Sequence, residues 1–181
     1  MVATGYSIWL MPTGDVHTRL FALMRELAKD YYTPVFEPHV TLIGGLLDPE
    51  GEILSKTSRL AGLLRPFNVR LGGVAHLDGF FTCLFIRAEE TQELLAAHSE
   101  ARSVFGRWQD PRFMPHLSLM YGNLSRDIRI RIISQIGSEL NASFEATGLH
   151  LFRTSGPVEG WGRIHEFCLA TENPISHTHY E

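Results

Sequence analysis

A long-period internal repeat constrains this chain more than any other feature. Moving the first half along by the 77 residues that separate His39 from His116 lays one pattern of elements on another. The strand-like run Tyr6 to Met11, stopped by Pro12, falls on Cys83 to Ala88. The helical stripe between Asp15 and Tyr31, with Leu20, Leu23, Met24 and Leu27 on one side, falls on Gln92 to Trp108, where Leu94, Leu95 and His98 keep the helical period. Asp48 reads as a helix N-cap with Pro49 at the first helical position, and its shifted partner Ser125 is another preferred cap. Helix Glu50 to Leu64 matches Asp127 to Asn141, and strand Phe67 to Val74 matches Phe144 to Leu151. A last strand, about Arg163 to Ala170, follows the turn-rich Thr154 to Gly160. The reading is a single domain over 1–181, with repeat units at about 6–74 and 83–151. Such a duplication predicts two similar lobes related by a pseudo-twofold axis, with corresponding strands meeting across a cleft.

The best-preserved part of the repeat is a phrase. Phe36-Glu37-Pro38-His39-Val40-Thr41-Leu42 returns as Phe113-Met114-Pro115-His116-Leu117-Ser118-Leu119. Strand side chains alternate faces, so His39 shares a face with Thr41, and His116 with Ser118. Imidazoles ionise near pH 6.5 when unperturbed, so one of a pair can accept a proton while the other donates. Hydrolysis of a cyclic phosphodiester needs that division: water loses a proton as it attacks phosphorus, and the oxygen leaving on the far side gains one. Two hydroxyls on the same strands suit the non-bridging oxygens.

Composition excludes more than it selects. A formal net charge of −4 gives no general attraction to a polyanion, so a long nucleic acid is not expected as the main ligand. No apolar run reaches membrane-spanning length and no signal-peptide pattern opens the chain, so no membrane association and a cytoplasmic location are expected. Cys83 and Cys168 lie in apolar runs and read as buried, inert thiols.

The paired phrases resemble the signature of the two-histidine (2H) phosphoesterase superfamily. Tyr6-Ser7-Ile8-Trp9 with Pro12, Phe80 to Phe85, and Phe113 to Tyr121 extend the similarity toward the plant-type cyclic phosphodiesterases. The resemblance implies an α+β, bilobal fold: two lobes of antiparallel-rich sheet with outer helices around a central cleft. It implies metal-independent hydrolysis, with no cofactor, of ADP-ribose 1″,2″-cyclic phosphate or nucleoside 2′,3′-cyclic phosphates, tRNA-splicing by-products among them, by a monomer acting on a small molecule. Carried over position by position, His39 and His116 are the acid/base pair, and Thr41 and Ser118 bind phosphate. Tyr121 reaches the same cleft, which requires a bend after Leu119, and Trp9 and Phe81 contact sugar or base. The extra cysteines of plant members are absent here, and Thr154 to Trp161 does not match the plant pattern.

Other residues carry less. The remaining histidines show no metal-ligand spacing, and His177 and His179 read as part of a terminal tail. Arg126, Arg129 and Arg131 read as a solvated helix face. Two other readings stay open: an RNA-end cyclic phosphodiesterase of the bacterial RNA-ligase-like branch, and a nucleotide-binding protein that does not turn its ligand over.

Overall fold

The computed structural model describes residues 3–171; His177 and His179 lie outside them. The elements in chain order are β1 (Tyr6–Leu10), α1 (Gly14–Tyr31), β2 (Val40–Leu46), α2 (Glu50–Leu63), β3 (Phe67–Ala75), β4 (Leu84–Ala88), α3 (Gln92–Phe105), β5 (His116–Met120), α4 (Arg126–Ile136), β6 (Glu139–Ala146), β7 (Gly148–Arg153) and β8 (Gly162–Cys168). All these strands join one curled antiparallel sheet in the order β6-β3-β4-β5-β2-β1-β7-β8.

The sheet is two four-stranded lobes joined at a seam. Between β2 and β5 the ladder holds a single register pair, Val40 with Leu117, so the two histidine strands lie side by side where the halves meet. The apolar sides of the strands, including Ile8, Leu10, Val40, Leu42, Ile86 and Leu117, are fully buried beneath the helices. α1 packs on β5 and β6, α3 on β2 and β3, and α2 on β7 and β8. The lobes are not the repeats themselves. β3, from the first unit, pairs with β4 of the second, and β7, from the second unit, pairs with β1 of the first.

Several local expectations change. The predicted strand Phe144 to Leu151 is two strands at opposite regions of the sheet, β6 against β3 and β7 between β1 and β8. α4 stops at Ile136, ahead of the predicted Asn141, because Gly137 leaves the helix at φ 97 and its N–H closes on the Ile133 carbonyl. Pro49, not Asp48, occupies the N-cap of α2, its carbonyl accepting from Glu52 and Ile53, while the Asp48 carboxylate takes Lys56 at 2.9 Å. Ser125 caps α4 as expected, accepting from the Ile128 N–H. Arg129 is not on a solvated face: it is 5% exposed, donating to the Leu77 carbonyl and pairing with Asp78 at 2.5 Å. Cys83 is buried, but Cys168 ends the edge strand β8 and is exposed; both thiols are free.

Candidate active site

The cavity at the seam is built by two β-bulges that obey the repeat. Ile8 pairs with Ile43 but Trp9 with Thr41, so Leu42 is the extra residue in β2. Phe85 pairs with Ser118 but Leu84 with Met120, so Leu119 is the extra residue in β5. An inserted residue resets the alternation of everything after it. Tyr121, which strict alternation turns away from Ser118, therefore returns to the Ser118 face. At the matching place in the other lobe stands Gly44, where a Cβ would come within 3.1 Å of the Ser7 hydroxyl. The bulge in β2 is held by the His98 ring, whose Nδ1 donates to the Leu42 carbonyl at 2.8 Å while the ring stacks on Phe113.

A cavity of about 260 Å³ opens on this face, and His39, His116, Thr41, Ser118, Tyr121, Trp9 and Phe81 all line it. Ser7, Thr82, Thr154 and Trp161 line it too, and sequence reasoning misses them. For Ser7 a signal exists, since it sits two residues from Trp9 on one strand. Thr154 lies in a loop whose path no pattern fixes; its hydroxyl is 3.1 Å from that of Ser7. Trp161 closes the aromatic wall, within about 6 Å of Trp9, Phe81 and Tyr121, with its indole N–H on the Gly156 carbonyl.

The two imidazoles are held in the same way. His39 Nδ1 lies 2.6 Å from the Glu37 carbonyl and His116 Nδ1 lies 2.8 Å from that of Met114, each two residues back along the chain. A carbonyl only accepts, so Nδ1 carries the proton in both rings and Nε2 is left to exchange one. Desolvation by burial pushes His39 down to about 3, opposed by the Glu37 carbonyl and assisted by the charge of His116. Burial lowers His116 as well, opposed by the Met114 carbonyl. Both rings are therefore neutral at pH 7.

Trp9 supplies much of that burial. It is 2% exposed and lies between His39 (ring centroids 3.5 Å apart, 7° between planes) and Phe152 (3.8 Å, 21°). With both faces covered it braces His39 and meets the cavity at its edge. Tyr121 is braced likewise by stacking on Phe36 at 3.8 Å, and burial raises its phenol. Its hydroxyl lies beside Ser118, whose own proton goes to the Phe81 carbonyl at 3.0 Å. Phe81, on a short turn of 3₁₀ helix, keeps a partly exposed ring beside Tyr121. Among the described residues, no Asp, Glu, Lys or Arg lines the cavity.

The sequence profile of the 2′-5′ RNA ligase superfamily matches residues 15–157. A cyclic phosphodiesterase of Arabidopsis thaliana is 27% identical over 122 residues, which is 67% of this chain and 67% of that protein. A 2′,3′-cyclic-nucleotide 3′-phosphodiesterase of Yarrowia lipolytica is 23% identical, over 87% of this chain and 96% of that one. Among solved structures, a protein of Thermus thermophilus superposes with a TM-score of 0.68 at 20% identity, covering 94% of this chain and all of that one. Escherichia coli LigT complexed with 3′-AMP gives 0.61 at 15% identity, covering 94% of this chain and 99% of that one. Among the described residues no helix is long and apolar enough to cross a membrane. The profile spans most of the chain and the fold agrees with it: this protein belongs to the 2′-5′ RNA ligase superfamily, the two-histidine phosphoesterases, and is an enzyme.

Proposed function

We propose that the chain hydrolyses a cyclic phosphodiester, a nucleoside 2′,3′-cyclic phosphate or ADP-ribose 1″,2″-cyclic phosphate, by two-histidine acid/base catalysis without a metal. The observation that carries this is a cavity holding two matched imidazoles, hydroxyls and aromatic rings, with no carboxylate, ammonium or guanidinium among its described lining residues. Such a lining suits one negative charge, that of a diester, bound by hydrogen bonds. The relatives named cyclic phosphodiesterase support the same chemistry.

Both histidines start neutral, so the anion brings a proton with it: its charge raises the imidazoles it touches. Desolvation weighs more heavily on His39, and the proton therefore resides on His116. His39 Nε2 then takes a proton from water as it attacks phosphorus. The ring oxygen opposite leaves with the proton from His116, and the strained five-membered ring opens. The Thr41 hydroxyl donates to a non-bridging oxygen, and Ser118 does so by turning from the Phe81 carbonyl while Tyr121 holds it in place.

The test is turnover of 2′,3′-cyclic AMP and ADP-ribose 1″,2″-cyclic phosphate in EDTA by wild type, His39→Ala and His116→Ala. Each substitution should lower kcat by about 10² to 10⁴. A 2′,3′-cyclic substrate with sulfur at the 3′ position, whose thiolate leaves without a proton, should restore His116→Ala and not His39→Ala. Unimpaired variants, or dependence on added metal, would refute the mechanism.

A further inference from the structure

A depression of about 710 Å³ lies beside the reaction cavity and takes no part in the chemistry above. It spreads over β3, β4 and β6, with Arg70, Gly72, Gly73, Arg87, Asn141 and Ser143 in its lining. It shares a sheet face with the catalytic residues: Arg87 is the cross-strand partner of His116, and Phe85 that of Ser118. Paired Cα atoms in an antiparallel ladder stand about 4.5 to 5.5 Å apart. The Arg87 side chain is thus one strand's width from His116.

Three observations give this place a character. Arg87 is exposed and forms no ion pair among the described residues, whereas the neighbouring Arg70 is paired with Glu89 at 2.5 Å. Its guanidinium lies 5.8 Å from the centroid of the Phe85 ring, and that same ring meets His116 edge-on at 5.0 Å. Phe85 therefore fixes the cation relative to the catalytic imidazole. Opposite Arg87 the β3 ladder slips at Gly72-Gly73, and neither glycine is there out of conformational need. Neither has a positive φ, and a Cβ would meet nothing within 4 Å at Gly73 and only the Asn141 side chain, at 3.8 Å, at Gly72. What the two glycines do is keep the floor beside Arg87 clear.

We propose that this depression receives the part of the substrate beyond the cyclic ester, and that Arg87 binds a second phosphate there. This rests on the reading of the cavity as a cyclic phosphodiesterase site and names its substrate class: a molecule with one further phosphate roughly one ribose away. The described lining of the reaction cavity has no cation for a second charge, and Arg87 is the unpaired one placed beside it. The diphosphate of an ADP-ribose cyclic phosphate and the preceding phosphodiester of an RNA end present the same chemistry.

The experiment compares 2′,3′-cyclic AMP, which has no second phosphate, with ADP-ribose 1″,2″-cyclic phosphate and with adenylyl-adenosine ending in a 2′,3′-cyclic phosphate. Each is assayed with wild type, Arg87→Ala and Gly73→Val, the last filling the floor without touching the charge. Arg87→Ala should raise KM about tenfold for one of the two-phosphate substrates, with kcat retained and cyclic AMP unchanged. The substrate that shifts identifies the source of the phosphate. Gly73→Val should act in the same direction on that substrate. No shift in either two-phosphate substrate, or an equal shift for cyclic AMP, overturns the proposal while leaving the cyclic phosphodiesterase reading intact. Absence of wild-type turnover on all three overturns both.

Discussion

Burying an imidazole between Trp9 and the seam makes this protein acid-sensitive at an identifiable residue. His39 ionises at about 3 in the folded chain against an ordinary 6.5 once unfolded. Between those values the unfolded chain binds a proton that the folded chain refuses, so stability is intact above pH 6.5 and falls as pH drops toward 3. At pH 5 the deficit is about 1.5 pH units, and at about 1.36 kcal/mol per unit His39 alone removes about 2 kcal/mol of folding free energy. His39→Asn keeps a donor for the Glu37 carbonyl and abolishes the titration. Urea unfolding of wild type and variant at pH 7 and pH 5 measures the difference directly. The wild type should lose about 2 kcal/mol more than the variant on acidification, the contribution of His116 being common to both. Parallel losses would show that the ring is not desolvated in this way, and the account of two neutral histidines would fail with it.

Tyr121→Phe preserves the stack on Phe36 and removes only the hydroxyl on Ser118, so thermal stability should hardly change while kcat falls about tenfold; an unchanged kcat would remove Tyr121 from the site's working parts. Arg129→Ala removes a buried side chain that donates to the Leu77 carbonyl and should destabilise the fold by about 1 to 2 kcal/mol in chemical denaturation, the exposed Asp78 adding little, with kcat retained in the folded fraction; no measurable loss would mean the guanidinium is not structurally engaged.

Local chemistry announces much of this architecture. Alternation and helical period persist through both repeat units, so the order of elements and the pairing of His39 with His116 follow from patterns that each half of the chain carries by itself. The bulges at Leu42 and Leu119 carry no such mark: a leucine inside a strand looks the same whether paired or extra, and only the cross-strand register distinguishes them. Tyr121 alone hints at one, by requiring a bend. The run Phe144 to Leu151 is uniformly strand-forming, and its division between two distant neighbours is decided by which strands are already in place. Gly137 is a readable stop, masked because the residues beyond it keep enough helical period. Cys168 misleads through its apolar neighbour Phe167, burial depending here on a position at the sheet edge. Trp161 and Thr154 reach the cavity from a loop, where neither periodicity nor composition forecasts direction.

The crossing of β3 and β7 between the two units has a consequence for how the molecule comes into being. Neither duplicated segment can complete a lobe from its own residues, because each must lend a strand to its twin and borrow one in return. A nascent chain released after the first unit would expose β1 and β2 without β7 beside them, and the cavity would not yet exist. The halves are interlocked like clasped hands, so synthesis must reach β6 before one lobe has all its strands and β8 before the other does.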